Sequence, residues 1–339
     1  MSNKRDNIVM KRNYNPHNSR LRNYKDNDQQ ITIDFGDDSP VAAAAPARAP
    51  RPAREQPQTP GSWAMHFASF GSGSSGNCSY LGNEHEGILI DAGVDIDHVI
   101  ADLERNGITP GMVKGIILTH DHADHIRYAY RLVRQYKHMH IYCTPRLMNG
   151  LLRHHNISRR IRDYQITIFK EIPFHVAGMT ITAFDTSHDG TDNMGFMIEG
   201  GGHKFVVGTD MGVITPRADY YMRQANYLMI EANYDRAMLD GGKYPEYLKN
   251  RVRSEKGHLD NKVTAQFVAD AWNEGMTYVF LCHLSNDNNR PEIATQAVKE
   301  ALEAKGATVG DASYAPTELS KAVQLYALPR YATSTWFIL

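Results

Sequence analysis

An α/β or α+β domain is what the chain predicts from residue 63 onward. Two observations predict it: β-type apolar runs alternate with amphipathic helical ones, and 42% of the 339 residues are hydrophobic, enough to bury a substantial core. Ala64 to Phe70 reads as the first strand and pairs with Ser79 to Leu81 around the Gly/Ser-rich stretch Gly71 to Asn77. Further strands follow at Gly87 to Asp91, Gly115 to Leu118, His140 to Cys143, Thr180 to Phe184, Gly195 to Glu199, Lys204 to Gly208, Tyr227 to Glu231 and Tyr278 to Cys282. Helical spacing marks His98 to Asn106, His125 to Tyr136, Arg146 to His154, Val263 to Asn273 and Pro291 to Lys305, and Thr317 to Tyr326 also reads as helix.

Residues 1–62 have a different character. The first 25 hold seven Lys/Arg against one acid, and an Ala/Pro/Arg stretch runs from Val41 to Pro60. Such composition does not bury enough apolar surface to offset the entropy of ordering, so a disordered arm and linker is expected. The arm is either a solvated tail or an electrostatic tether to nucleic acid or a protein partner. Residues 63–305 form the predicted catalytic domain, and 306–339 a C-terminal extension expected to dock on it through Trp336, Phe337 and Leu339. The three cysteines, Cys78, Cys143 and Cys282, show no CxxC spacing, and no run is long enough to span a bilayer. A reducing cytoplasm and no membrane partner are the expectation.

Thr119-His120-Asp121-His122-Ala123-Asp124-His125 packs three imidazoles and two carboxylates directly after an apolar run. A strand ending in such a cluster presents its side chains from a loop at the sheet edge. They can converge there on divalent cations and leave coordination positions open, which means catalysis rather than a structural staple. His120 and His122 alternate along extended chain and so point the same way. Asp124 and His125, entering the next helical pattern, suit a second cation. Asp121 reads as a solvated or supporting carboxylate.

With that motif on the page, the chain resembles the metallo-β-lactamase fold. Asp91 matches an aspartate that supports the site from behind the ligands; His188, Asp210 and His283, each near the end of a strand-like run, match the remaining positions. The resemblance implies a four-layer αββα sandwich of the α+β class. It also implies that His120, His122 and His188 hold one metal and Asp124, His125 and His283 the other, with Asp210 bridging. A bridging carboxylate argues for hard-ligand dinuclear chemistry, with Zn2+ or Mn2+ as the two ions. Gly71 to Asn77, Glu231 to Asp235, Gly257 to Asn261 and Cys282 to Asn289 further resemble the YycJ/WalJ-type nuclease branch, similar to tRNase Z. That resemblance spans roughly residues 66 to 303.

The activity so implied is a phosphodiesterase, a DNA exonuclease using a metal-bridging hydroxide, with single-stranded DNA or DNA ends as substrate. Asp124, His258 and Glu231 are expected to carry the chemistry, His258 and Glu231 supplying a proton to the leaving oxygen. Ser74, Asn77, Arg251, Arg253, Lys256 and Asn289 are the candidate substrate contacts. Basic residues concentrate from Arg146 to Arg162 and from Lys243 to Lys256, and the second run, leading into Gly257-His258, fits phosphate tracking better. Two alternatives stand beside this reading: a hydrolase of the same fold acting on a small ester, lactone or thioester, and a non-catalytic nucleic-acid-binding protein.

Overall fold

Two mixed sheets lie face to face in the structure, a computed structural model that describes residues 63–311 and 322–339. The first holds β1 (His66–Gly71), β2 (Cys78–Gly82), β3 (Gly87–Ile90), β4 (Val113–Ile117), β5 (His140–Cys143) and β6 (Gln165–Thr167). The second holds β7 (Phe174–Val176), β8 (Met179–Asp185), β9 (Met194–Gly200), β10 (His203–Gly208), β11 (Tyr227–Glu231), β12 (Tyr278–Cys282), β13 (Val309–Asp311) and β14 (Val323–Ala327). A last strand, β15 (Phe337–Ile338), returns to the first sheet beside β1. The helices are α1 (Ile96–Arg105), α2 (Ala123–Ile126), α3 (Ala129–Gln135), α4 (Pro145–His154), α5 (Pro216–Met222), α6 (Arg236–Gly241), α7 (Glu246–Arg253), α8 (Asn261–Ala271) and α9 (Pro291–Ala304).

Strand order is β15-β1-β2-β3-β4-β5-β6 in one sheet and β13-β14-β12-β11-β10-β9-β8-β7 in the other. β10, β11, β12 and β14 run parallel, and the central pair β11 and β12, as expected of parallel strands covered on both faces, read as nearly unbroken apolar runs. Between the sheets the Phe67 ring of β1 lies 4.9 Å from Phe205 and 4.6 Å from Phe280 of the opposite sheet. On the outer face of the second sheet, Leu228, Ile230, Val279 and Leu281 share a buried cluster with Val268 of α8 and Ala294 and Val298 of α9. The layering is the αββα sandwich expected.

Three local differences from the sequence expectation have physical causes. The helix expected from His125 to Tyr136 is broken into α2 and α3: the His125 carbonyl accepts the Ala92 N–H (2.7 Å), and the Tyr128 N–H is drawn to the Ala92 carbonyl (2.8 Å). Val323 to Tyr326, the described end of the Thr317 to Tyr326 stretch that read as helix, lies instead in β14, which pairs with β12 and β13. The C-terminal segment supplies strands to both sheets, which goes beyond docking on one surface. The 1–62 arm and residues 312–321 lie outside the described residues. Among those described, no helix is long and apolar enough to cross a membrane.

The strand ends that carry site residues are sharply turned. Asp91 after β3, Asp210 after β10 and His283 after β12 hold φ of 61°, 52° and 53°, left-handed conformations that cost a non-glycine residue about 1–3 kcal/mol each. They persist because neighbours fix them; the Asp91 N–H, for example, donates to the Ile117 carbonyl at 2.9 Å. Gly93 permits the closest approach in this region, since a Cβ there would sit 1.6 Å from the Asp124 carbonyl oxygen.

Candidate metal centre

Side chains from four strand ends, those of β4, β8, β10 and β12, meet in one mostly buried cluster. Ligand-type atoms of His120, His122 and His188 lie within 4.8 Å of one another, as do those of Asp124, His125 and His283. Asp210 stands between the two groups: its Oδ2 is 3.3 Å from His125 Nε2, and its Oδ1 is 3.4 Å from His283 Nδ1 and 3.7 Å from His188 Nε2. His188 Nε2 approaches His122 Nδ1 at 3.2 Å, while its own Nδ1 is 2.9 Å from the Gly257 carbonyl, which orients the ring.

Asp91 sits behind this cluster. It accepts the Thr119 N–H at 2.8 Å and lies 2.7 Å from His125 Nδ1, so His125 presents Nε2 to the pocket. Asp121 is fully buried, and so it is not the solvated carboxylate that the sequence left open. It accepts from the Thr191 N–H (2.8 Å) and hydroxyl (2.5 Å), tying the β4 loop to the β8–β9 loop.

The residues fit divalent cations. His120 Nε2 and His283 Nε2 are buried without a hydrogen-bond partner, an arrangement that costs free energy unless a lone pair is taken up. Charge points the same way. Burial alone would push the Asp124 and Asp210 carboxyls up, but the histidines around them hold both below the usual carboxylate range. Burial would lower His283, yet Asp210, Asp124 and Glu231 push it up to about 10; His125 is likewise raised by Asp210, Asp91 and Asp124. His188, pushed down to about 4 by burial, and His120, also lowered by burial, present neutral imidazoles. A pocket of ionised carboxylates and neutral imidazoles demands positive charge, which protons or metal ions supply. The donor set of imidazole nitrogens and carboxylate oxygens suits zinc and manganese.

Beside the ligand groups, His258 Nδ1 lies 2.7 Å from Glu231 Oε1. Glu231 is fully buried and also accepts the N–H groups of Met211 (2.8 Å) and Leu259 (3.1 Å), so its position is fixed. Burial would raise its carboxyl, but His258 and His283 pull it below the ordinary value. The His258 ring sits 5.0 Å from that of His188 and 5.2 Å from that of His283.

The candidate substrate contacts divide. Asn77 faces the cluster: its Nδ2 lies 2.9 Å from His125 Nε2 and 3.4 Å from Asp124 Oδ2, while Ser72 Oγ accepts the His283 N–H. The Gly/Ser stretch is therefore both the turn of the first hairpin and a wall of the pocket. Ser74 and Lys256 are exposed. Arg251 pairs with Asp189 at 2.7 Å, and through it adjoins His122.

Two of the contacts need correction. Arg253 is turned to Asp240 (3.1 Å) and Glu246 (3.4 Å), and its charge is spent there. Asn289 is buried, and its amide is used on the Ala232 and Asn233 carbonyls and on Asn261, holding the loops together rather than meeting a ligand. Sequence reasoning missed Asp189, whose Oδ1 lies 3.1 Å from His122 Nε2 and 3.4 Å from His188 Nε2. Its place next to His188 was the available signal. It also missed Asn233, which donates to the His283 carbonyl at 2.7 Å.

Comparison with known proteins places this arrangement. A model described as a beta-lactamase superfamily domain matches residues 86–283. Exodeoxyribonuclease YycJ of Bacillus anthracis is 32% identical over 249 residues, which cover 73% of this chain and 93% of that protein. Exodeoxyribonuclease WalJ of Streptococcus pneumoniae serotype 2 is 29% identical over 240 residues, covering 70% and 87%. Among solved structures, the metallo-beta-lactamase fold protein YhfI from Bacillus subtilis superposes with a TM-score of 0.55 at 14% identity, over 80% of this chain and 99% of that one.

Proposed function

The chain belongs to the beta-lactamase superfamily, in the branch that contains YycJ and WalJ, and from that premise we propose that it is a dinuclear metal-dependent phosphodiesterase, a DNA exonuclease. The observation that carries this reading is the His258–Glu231 pair, 2.7 Å apart, standing against two groups of ligand-type side chains joined by Asp210. A thioester or aryl ester, whose leaving group is a weak base, needs only the activated water. A nucleotide's alkoxide leaving group is poor and needs a proton as well.

His120, His122 and His188 would hold one ion and Asp124, His125 and His283 the other, with Asp210 shared. When bound, the ions supply Lewis-acid activation of water and neutralise charge on the phosphoryl oxygens. Asp124 and Asp210 stay ionised and bring the negative charge that makes the pocket selective for divalent cations. Asp91 fixes the His125 ring by accepting a hydrogen bond from its Nδ1–H. Glu231 accepts the His258 Nδ1–H in the same way, so that the doubly protonated His258 passes its Nε2 proton to the departing 3′ or 5′ oxygen and recovers it from solvent. Asn77 is buried, and its amide ties Gly73 of the first hairpin to the Asp124 and His125 side chains, so it steadies these residues. Support for DNA over other phosphodiesters is the named activity of the two relatives.

End-labelled DNA and RNA oligonucleotides, with bis-p-nitrophenyl phosphate and a lactone alongside, test the reading. Stepwise shortening of DNA from one end in Zn2+ or Mn2+, stopped by EDTA, is expected. Hydrolysis of the lactone with no shortening of any oligonucleotide would overturn it.

A further inference from the structure

His125 to Arg162 is a run of 38 residues with nine lysines and arginines and no aspartate or glutamate, in a chain whose 37 basic and 38 acidic side chains nearly balance. Elsewhere in the described residues arginines commonly meet a carboxylate: Arg105 meets Asp102, Arg217 Glu171, Arg223 Asp219 and Arg236 Asp240. Within this run Arg131 does so too, with Asp97. Arg146, Arg153, Arg159, Arg160 and Arg162 have no such partner among the described residues, and Arg162 donates only to the neutral amide of Asn149, at 2.7 Å.

Three of these unpaired cations converge. Arg153 of α4 and Arg159 and Arg162 of the 3-10 turn that follows it line one surface groove of about 370 Å³, with Asn149 and Leu152 completing the wall. Among the described residues no carboxylate lines it. Guanidinium groups around one concavity repel one another, and a bound anion removes that repulsion.

The groove adjoins the metal centre through α4. Gly150 packs so tightly on the metal loop that a Cβ there would lie 2.3 Å from Asp121 Oδ2, and His155 Nε2 is 2.5 Å from the Asp121 carbonyl oxygen. Asn149, Leu152 and Arg153 occupy the neighbouring face of the same helix, about one helix width, roughly 10 Å, from that contact. α4 thus carries the groove and packs on the loop that bears His120 and His122.

We propose that this groove binds the phosphate backbone of the nucleic-acid strand beyond the bond being cleaved; the inference rests on the phosphodiesterase reading above and extends it. Guanidinium is the fitting group, because its planar fork donates two parallel hydrogen bonds to one phosphate. The stem of Leu152 offers apolar contact for a sugar or base edge.

The test compares full-length wild type with Arg153→Gln/Arg159→Gln/Arg162→Gln and with the corresponding triple lysine variant. Anisotropy of a labelled 30-nucleotide DNA is measured in EDTA across a salt series. Unfolding midpoints report folding, and shortening of end-labelled DNA by the wild type in Zn2+ or Mn2+ is followed in parallel. The glutamine variant is expected to bind at least tenfold more weakly, with the slope of log affinity against log salt reduced by about 2, as loss of three contacts to a single strand requires. The lysine variant is expected to recover most of the affinity.

Equal affinity and slope in wild type and glutamine variant would overturn the groove while leaving the nuclease reading intact, provided the wild type still shortens the DNA. A wild type that neither binds nor shortens DNA would overturn both. Equally tight binding of poly-glutamate would overturn the nucleic-acid assignment in favour of an acidic protein partner.

Discussion

Five Lys/Arg lie between Arg146 and Arg162 and five between Lys243 and Lys256, and in the sequence the second group looked the better phosphate surface because it leads into His258. Folded, the two groups differ in how much of their charge is already committed. Lys249 is buried, with its Nζ on the Asp240 carbonyl at 2.7 Å; Arg253 pairs with Asp240 and Glu246, and Arg251 with Asp189. Among the described residues the arginines of the first group carry no ion pair, and three of them share a groove. The lesson is that a basic run becomes a phosphate surface only if the fold leaves its cations unpaired, and pairing is a long-range property. The metal centre is the extreme of commitment: there almost every polar atom has a fixed partner or is aimed into the pocket.

The largest effects should fall on that committed charge. Asp210→Asn or His122→Ala is expected to lower turnover by at least about 10³-fold, the scale on which a metal's charge stabilisation is lost, with the unfolding midpoint nearly unchanged. Nuclease activity surviving either change would break the contrast at its strongest point. Next comes the proposed proton donor. His258→Ala is expected to cost roughly 10²–10⁴-fold on DNA and much less on bis-p-nitrophenyl phosphate, whose leaving group needs no proton. Equal losses on both substrates would mean that His258 acts on something other than the leaving oxygen.

Titration of the metal-stripped protein separates the two kinds of committed imidazole. Burial holds His188 at about 4 against 6.5 in the unfolded chain, so the unfolded state binds the proton first and stability falls as pH drops from 6.5 to 4. His283 behaves oppositely: pushed up to about 10, its stabilisation is complete below 6.5 and is lost as pH rises toward 10. Urea midpoints at pH 4, 6.5 and 10 should therefore peak near neutrality, and a midpoint rising steadily across that range would contradict the carboxylate contacts that raise His283. The smallest effect is expected at Arg253. Arg253→Gln should cost about 1 kcal/mol or less of stability and leave DNA affinity unchanged, because its ion pairs are partly exposed and face away from the pocket. A tenfold loss of affinity would return this segment to the substrate path.

Most of the centre was legible because its chemistry is local. His120 to His125 sit in one loop, and Asp91, His188, Asp210, Glu231 and His283 each stand within a few residues of the end of an apolar run that reads as a strand without knowledge of its neighbours. The central strands were legible for the same reason; β5, β11 and β12 run over the expected residues, His140–Cys143, Tyr227–Glu231 and Tyr278–Cys282. What was not legible depends on partners distant in sequence. The two-residue strand β15 exists because Phe67 pairs with Phe337 across 270 positions. β14 overrides a helix-like spacing because β12 and β13 flank it. Asn289 looked like a ligand-facing polar residue until the Ala232 and Asn233 carbonyls were brought to it. The left-handed turns at Asp91, Asp210 and His283 leave no mark in composition at all.

Anomalous diffraction at the zinc edge from crystals of zinc-loaded full-length protein would decide whether these side chains act together. Two peaks are predicted, one among His120, His122 and His188 and one among Asp124, His125 and His283, with Asp210 between them. A single peak, or zinc held by other residues while this pocket stays free of it, would contradict the dinuclear centre and the hydrolytic chemistry built on it.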